Sequence, residues 1–229
     1  MIDATIEIHN LIDDINIYID GEFDPVTGKT FFCHTKWARI GKPIFDSNGV
    51  EFIITDLEVD QWIIAEQVVV TDPVINLDGV CTLQKPFFIT GTKLATNREW
   101  TIADNNLENK LPLIWMLEII NETGYGRGST IERDIQTNLF FLDETDPSQY
   151  YTVDHRKQVV TPMGNLMEEF IKTVESDKMF ATVDDYQYKT FSRFGVETDT
   201  GVVENILDGN LSGVSLNITL SKYRANCKC

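Results

Sequence analysis

Short runs of β-branched and aromatic residues, several of them alternating between apolar and polar positions, fill residues 18–92. Such runs are typical of strands, and they occupy 30–34, 50–55, 61–65 and 85–90. Between them, 24–29 and 46–49 contain Pro, Gly, Asn and Asp, which favour tight turns. The sequence therefore predicts an antiparallel β unit over 18–92.

The first residues follow another pattern. Ile6, Leu11 and Ile15 are spaced for one face of a helix, and Asp3 is of a type that caps helix N-termini. We therefore predict an N-terminal arm or amphipathic helix over 1–17. The alternation of isoleucines at the end of this stretch leaves a strand open there as an alternative.

A polar connector is predicted over 93–106, and helical patterns follow it. Residues 111–120 read LPLIWMLEII, which is apolar all round, and Pro112 suits the first turn of a helix. Residues 152–175 carry an apolar stripe at helical spacing, and we expect Pro162 to kink this helix or split it in two. Trp115 and Phe170 are expected to be buried on facing surfaces of the two helices.

Alternation in 131–142 and 186–194 predicts two strands, and a third is predicted at 211–220 with a break at Gly213. The order over 107–222 is thus α-β-α-β-β, with the helices packed on a sheet, and a C-terminal tail follows at 223–229. Together with the β unit, this order predicts an α+β fold.

Charge limits the function. The 229 residues include 36 Asp and Glu but only 19 Lys and Arg, so the net charge is −17. A protein this acidic repels polyanions, which disfavours nucleic-acid binding and binding to anionic membranes. No apolar run reaches the roughly 18 residues of a membrane span, and no signal peptide is recognised. With cysteines too far apart for a disulfide scaffold, we expect a soluble protein that folds in a reducing cytoplasm.

No motif predicts a catalytic, cofactor or metal site. Gly124, Gly126 and Gly128 form a run that lacks the strand-to-helix context of a dinucleotide site, so we interpret it as a flexible loop. Asp199-Thr200-Gly201 matches one half of an aspartic protease pair, but the chain has no second copy and a turn is the better interpretation.

The metal candidates are also weak. Cys33 and His34 could join Cys227 and Cys229 in a zinc site, but the usual C-x₂-C spacing is absent, and Cys33 is better explained as a strand residue. The other histidines are His9 and His155. Asp143, Glu144 and Asp146 offer oxygen ligands without a calcium-loop pattern, so a solvated acidic turn is expected there.

Four segments follow one another in the second half: LPLIWMLEII, the strand IERDIQTNLFFLDETD, then YYTVDHRK, and the helix MGNLMEEFIKTV. This order, over Leu111–Ile171, resembles tail and neck structural proteins of tailed bacteriophages. The closing strand LSGVSLNITL, with its short Cys-containing tail, resembles proteins from phages that infect Bacteroidetes. The resemblance covers about half of the chain.

The resemblance implies a tail-terminator-like or head–tail connector protein of the virion, which is assembled in the host cytoplasm. It implies a homo-oligomeric ring of about six or twelve copies that contacts portal, neck or tail proteins and lets DNA pass without specific binding. No enzyme activity, cofactor or membrane is implied. Two alternatives stay open: a non-catalytic adaptor or binding module outside a ring, and a hydrolase that uses Asp199 or the acidic clusters.

Overall fold

The computed structural model of this protein describes residues 3–69, 75–92, 110–117, 120–146, 148, 152–197, 203–205, 207 and 209–224. Within these ranges the chain forms a closed six-stranded barrel and a mixed β-sheet with helices on one face. The fold is therefore α+β, as predicted. The predicted connector at 93–106 and residues 225–229 of the predicted tail lie outside the described residues.

The barrel contains six antiparallel strands in the order β1-β2-β5-β4-β3-β6. They are β1 (Tyr18–Asp24), β2 (Lys29–Phe32), β3 (Pro43–Phe45), β4 (Glu51–Glu58), β5 (Trp62–Gln67) and β6 (Gly79–Leu83). Strand β1 closes the barrel on β6, with Ile19 opposite Cys81. Both of these residues point inward and are buried, as are Phe32, Phe52 and Ile63, so alternate positions along each strand fill the interior.

The second sheet contains β7 (Phe87–Gly91), β8 (Leu113–Leu117), β9 (Asn121–Gly124), β10 (Ile131–Glu144) and β11 (Tyr186–Phe191). A separate two-stranded ribbon follows, formed by β12 (Gly195–Glu197) and β13 (Val203–Asn205), and the last strand of the sheet is β14 (Leu211–Tyr223). The strand order is β11-β14-β10-β8-β7, and β9 also pairs with β10. Neighbours are antiparallel except β7 and β8, which are parallel.

The helical elements are α1 (Ala4–Asp13), α2 (Val153–His155), a π-helical segment (Arg156–Val160) and α3 (Thr161–Ser176). Asp3 caps α1 as predicted, because its carboxylate accepts the N–H of Thr5 at 2.8 Å. Pro162 lies in the first turn of α3 and has no N–H to donate to the preceding turn. The split predicted at Pro162 is wrong, because the helical backbone continues without a break from Val153 through the π-helical segment to Ser176.

The two faces of the mixed sheet bury different cores. On one face, α3 inserts Phe170 against Phe141, with ring centroids 6.1 Å apart, and this core continues into the barrel and α1. On the other face, Trp115, Phe194 and Leu211 belong to a smaller core. Trp115 and Phe170 are therefore both buried but lie on opposite faces of the sheet, so the expected contact between two helices is wrong.

The helix predicted at 111–120 is also wrong, because Leu113–Leu117 form β8, and residues 118 and 119 lie outside the described residues. Leu113 and Trp115 face the smaller core, whereas Ile114 and Met116 face the core under α3. A strand buried on both faces is apolar at every position, and a short run of this kind cannot be distinguished from a buried helix by its periodicity.

Two strand boundaries and the buried face of α1 differ from the predictions. The antiparallel barrel ends at Leu83, and the strand predicted next, β7, pairs in parallel with β8 in the other sheet. In α1 the buried stripe contains Ile8 and Leu11, whereas Ile6 is 54% exposed. The last strand continues through Gly213 without a break, and its register on β10 is maintained there.

A buried ion network ties α1 to the sheet. The carboxylate of Glu7 pairs with Arg133 of β10 at 2.7 Å and with Lys222 of β14, and Arg133 also pairs with Glu122 of β9 at 2.5 Å. Glu7, Arg133 and Lys222 are all buried. Because each buried charge faces an opposite one, the desolvation cost is offset, and the helix is fixed in position over the sheet.

We predict that Gly213→Ala strongly destabilises the protein. A Cβ at this position would lie 1.9 Å from the backbone oxygen of Phe141, and φ is +155°. Backbone strain and overpacking each cost about 1–3 kcal/mol, so we expect a loss of about 2–6 kcal/mol in the free energy of unfolding. Urea unfolding followed by circular dichroism measures it.

Gly164→Ala is the matched control, since a Cβ at this position of α3 meets nothing within 4 Å. Alanine is favoured over glycine inside a helix, so the same measurement should show a gain of about 0.5–1 kcal/mol. Equal effects of the two substitutions would contradict the close approach of β14 and β10.

Candidate functional site

Asp143 is the last buried residue of β10. Its side chain lies between two cations, Arg39 and Lys42, from the segment that precedes β3 of the barrel. Its carboxylate lies 2.9 Å from Arg39 Nη1 and 3.5 Å from Lys42 Nζ, and the side chain is 1% exposed. Arg39 also donates to the backbone oxygen of Glu144 at 2.9 Å. The expected solvated acidic turn is therefore wrong for Asp143, whose carboxylate is held in a structural ion pair.

A buried Ser–His contact lies close by. His155 Nε2 is 3.2 Å from Thr145 Oγ1 and 3.0 Å from Ser212 Oγ, and the Ser212 hydroxyl donates to the Ser192 carbonyl at 2.7 Å. The Ser212 hydroxyl therefore lies between the imidazole of His155 and the Ser192 carbonyl. His155, Ser212 and Thr145 are all buried, so this group ties the ends of β10 and β14 to α2.

The charge state of His155 agrees with this role. The side chain is fully buried, and desolvation lowers its pKa, as do the positive charges of Arg156 and Arg39. The imidazole is therefore held neutral. No motif or spacing in the sequence indicates this network, because its four members come from four separate segments.

The zinc candidates are not brought together among the described residues. Cys33 is exposed and lies directly after β2, so its interpretation as a strand residue is wrong, and Cys227 and Cys229 lie outside the described residues. His9 stacks near Phe88, with ring centroids 5.0 Å apart. In the part of the chain that is described, no group of three or more His, Cys, Asp or Glu side chains is arranged to hold a metal ion.

The remaining motif candidates have limited structural support. Gly124 ends β9, and Gly126 and Gly128 belong to the hairpin loop between β9 and β10, where Arg224 donates to the carbonyls of Tyr125 and Gly126 at 2.9 and 3.1 Å. The loop was predicted, but a strand precedes it and not a helix. Asp199, Thr200 and Gly201 lie outside the described residues.

A surface groove of about 360 Å³ separates β11 from the helices. We call it the edge groove, and its wall is formed by Arg156, Gly164, Glu168, Tyr186, Tyr188 and Thr190. The last three of these residues are alternate positions of β11, so one face of this strand lines the groove.

Strand β11 forms an open edge of the mixed sheet. It pairs with β14 on one side, and no described strand pairs with its other side. Residues 186–190 are all exposed, including Tyr186 and Tyr188, whose ring centroids lie 6.4 Å apart. A free edge with unpaired N–H and C=O groups is a template for another strand, and tyrosines are enriched in protein interfaces.

The charge around this edge is mixed. Lys189 on β11 and Arg156 in the groove are exposed and have no ion-pair partner among the described residues. Glu168 in the groove and Asp184 and Asp185 just before β11 carry the opposite charge. The two free cations stand out because most of the charged side chains of this chain are acidic.

The sequence predicted the strand at 186–194, which the structure confirms over Tyr186–Phe191. Its position at an edge was missed. The sequence did contain a signal for it. Gln187 and Lys189 are polar on one face of the strand, and Thr190 is polar on the other. A strand with polar residues on both faces is typically buried on neither face, as happens at a sheet edge.

Comparison of the chain with models of known protein families, with curated protein sequences and with solved structures finds no match. Among the described helices, none has the length and apolar character needed to cross a membrane.

We predict that stability falls in acid partly through His155. Its pKa is lower in the folded state than the unperturbed value of 6.5, so the unfolded state binds a proton first as the pH falls. The contribution of the neutral imidazole is complete above about pH 6.5 and is lost as the pH falls towards the folded pKa. Urea midpoints at about pH 7.5 and about pH 5 should differ more in the wild type than in His155→Gln.

His9→Gln serves as the control, because His9 is exposed and this variant should retain the wild-type difference between the two midpoints. An equal acid response in the wild type and in His155→Gln would show that a neutral buried imidazole does not contribute to the pH dependence.

Proposed function

We propose that this chain is a structural protein of a bacteriophage virion that forms a homo-oligomeric ring in the neck or tail, around the DNA channel. The observation that carries the proposal is the open edge of β11 beside the edge groove. An exposed strand edge with two surface tyrosines suits the addition of another polypeptide segment. A repeated contact between different surfaces of identical chains closes into a ring when the rotation permits.

Part of the resemblance to phage neck and tail proteins is compatible with the fold. Strand β10, helix α3 and strand β14 follow in the order on which the resemblance was based. The segment LPLIWMLEII does not support it, since this segment is β8 and not the Pro-headed helix of that class. The proposal therefore depends on the exposed edge more than on this segment.

The charge of the chain supports a passive role towards DNA. Each copy contributes −17, and several copies around an axis create a strongly negative channel. Such a channel repels the phosphate backbone, so DNA passes without being held by specific contacts. In this proposal the ring contains about six or twelve copies, contacts portal, neck or tail proteins, and is assembled in the host cytoplasm.

Deleting the protein from a phage that encodes it tests this function. We expect electron microscopy to show filled heads without tails, or tails without heads, because a missing ring interrupts the head–tail junction. Complementation with the wild-type chain should restore complete particles. Intact and infectious virions that lack the protein would contradict the proposal and would favour an adaptor outside the virion.

A further inference from the structure

We infer that two free copies of this chain pair through their β11 edges as an antiparallel, two-fold symmetric dimer, with Gln187 of one copy opposite Gln187 of the other. The inference goes beyond the proposed ring and does not depend on it, because a two-fold contact uses the same surface on both copies and does not close a ring by itself. Three features of the described residues carry it: an open backbone edge, a charge pattern that complements itself, and two exposed tyrosines.

The edge is open over a continuous stretch of chain. Among the described strands, β11 pairs only with β14, and residues 184–190 are all exposed. Asp184 and Asp185 directly precede the strand, so a second copy can extend the pairing to them. The unpaired N–H and C=O groups of such an edge gain hydrogen bonds when an identical edge is added in the antiparallel direction.

The backbone limits the registers in which two identical edges can pair. Opposite residues of an antiparallel pair have the same hydrogen-bonding role, and this role alternates along a strand. The two-fold axis of the dimer must therefore pass beside a residue and cannot pass between two neighbouring residues. An axis at Lys189 would place two lysines opposite each other, which is destabilising. An axis at Gln187 avoids this repulsion.

Charge favours the axis at Gln187. Residues 185–189 read DYQYK, so in this register Asp185 of each copy lies opposite Lys189 of the other, and the dimer contains two such pairs. Opposite charges across a strand pair are stabilising. Lysine on an edge strand commonly prevents self-pairing, but here it disfavours the wrong axis and contributes to the right one. Asp184 comes opposite Thr190 and meets no like charge across the pair.

The tyrosines favour the same axis on the other face of the strand. Tyr186 and Tyr188 are 39% and 58% exposed, and their ring centroids lie 6.4 Å apart within one copy. With the axis at Gln187, Tyr186 of each copy lies opposite Tyr188 of the other. Four rings then form one cluster beside the two edge grooves, and aromatic pairs across strands are stabilising. This contribution does not depend on charge.

A second copy is selected as the occupant because one register satisfies both faces of the strand. Two chains of net charge −17 repel each other, but at about 0.15 M salt the Debye length is about 8 Å, so this repulsion is screened more than the charge pairs in contact. Glu168 and Arg156 in the groove wall carry opposite charges and favour neither sign. The dimer has to open before the edge can add another segment in the proposed ring.

Sedimentation equilibrium of the full chain in about 0.15 M salt tests the dimer. We expect the wild type to form dimers that dissociate on dilution. Asp185→Lys should weaken the association about tenfold or more, because it places a lysine opposite Lys189 twice. It also makes the chain less negative, so an effect of net charge alone would strengthen the association. Asp184→Lys is the matched control, since it makes the same change of charge opposite Thr190, and it should not weaken the dimer.

A charge exchange identifies the register. Lys189→Glu alone should weaken the dimer as Asp185→Lys does. Mixing these two variants should produce a heterodimer, because the introduced glutamate then faces the introduced lysine, and the remaining Asp185 faces the remaining Lys189. The double variant that carries both substitutions in one chain should dimerise as the wild type does. Circular dichroism of each variant checks that it is folded.

Three results would overturn the inference: a wild type that stays monomeric up to about 1 mM; an Asp185→Lys variant that associates as tightly as Asp184→Lys; or a mixture of the two weakened variants that forms no heterodimer. None of these results decides the particle experiment, because a ring can use another surface of the chain. Intact virions without the protein would likewise leave the dimer standing, so the two proposals fail separately.

Discussion

The ion pair of Asp143 with Arg39 and Lys42 fixes the barrel against the mixed sheet. Removing one partner of such a buried pair costs about 3–5 kcal/mol, because the remaining charge has lost its water without compensation. The same barrel segment is held by α3, where Asn165 donates to the Lys36 carbonyl at 2.8 Å and Glu169 pairs with Lys36 Nζ at 3.2 Å. These polar contacts lie at the same junction that the large core spans between the barrel and the sheet.

This junction determines which surfaces stay open. Strands β10 and β14 are paired from Ile131, which lies opposite Tyr223, to Glu144, which lies opposite Leu211. This long pairing makes the two strands a rigid centre for the sheet. On one side of this centre lie β8 and β7, whose residues contribute to both cores, and on the other side lies β11, whose residues 186–190 are all exposed. The edge groove therefore lies at the solvated end of the sheet.

The features that were predicted correctly from the sequence are those that depend on residues close together along the chain. The cap at Asp3 and the alternation of β10 are local, and both were correct, whereas the split expected at Pro162 does not occur and a π-helical segment precedes α3 instead. The errors involve long-range context: β8 was predicted as a helix because a strand buried on both faces has no period, and the partner of β7 depends on pairing across the sheet. The ion pair of Asp143 and the Ser212–His155 contact join distant segments, so no pattern along the chain could indicate them.

Several of the few cations of this acidic chain are used inside the molecule, in buried ion pairs. Arg133 and Lys222 neutralise Glu7 inside the molecule, and Arg39 and Lys42 neutralise Asp143 at the junction. The outer surface is therefore left with few cations that are free to bind a partner, and copies of the chain repel each other over most of their area. The proposed ring therefore needs a contact surface where free cations offset this repulsion, and among the described residues the exposed edge of β11 carries Lys189.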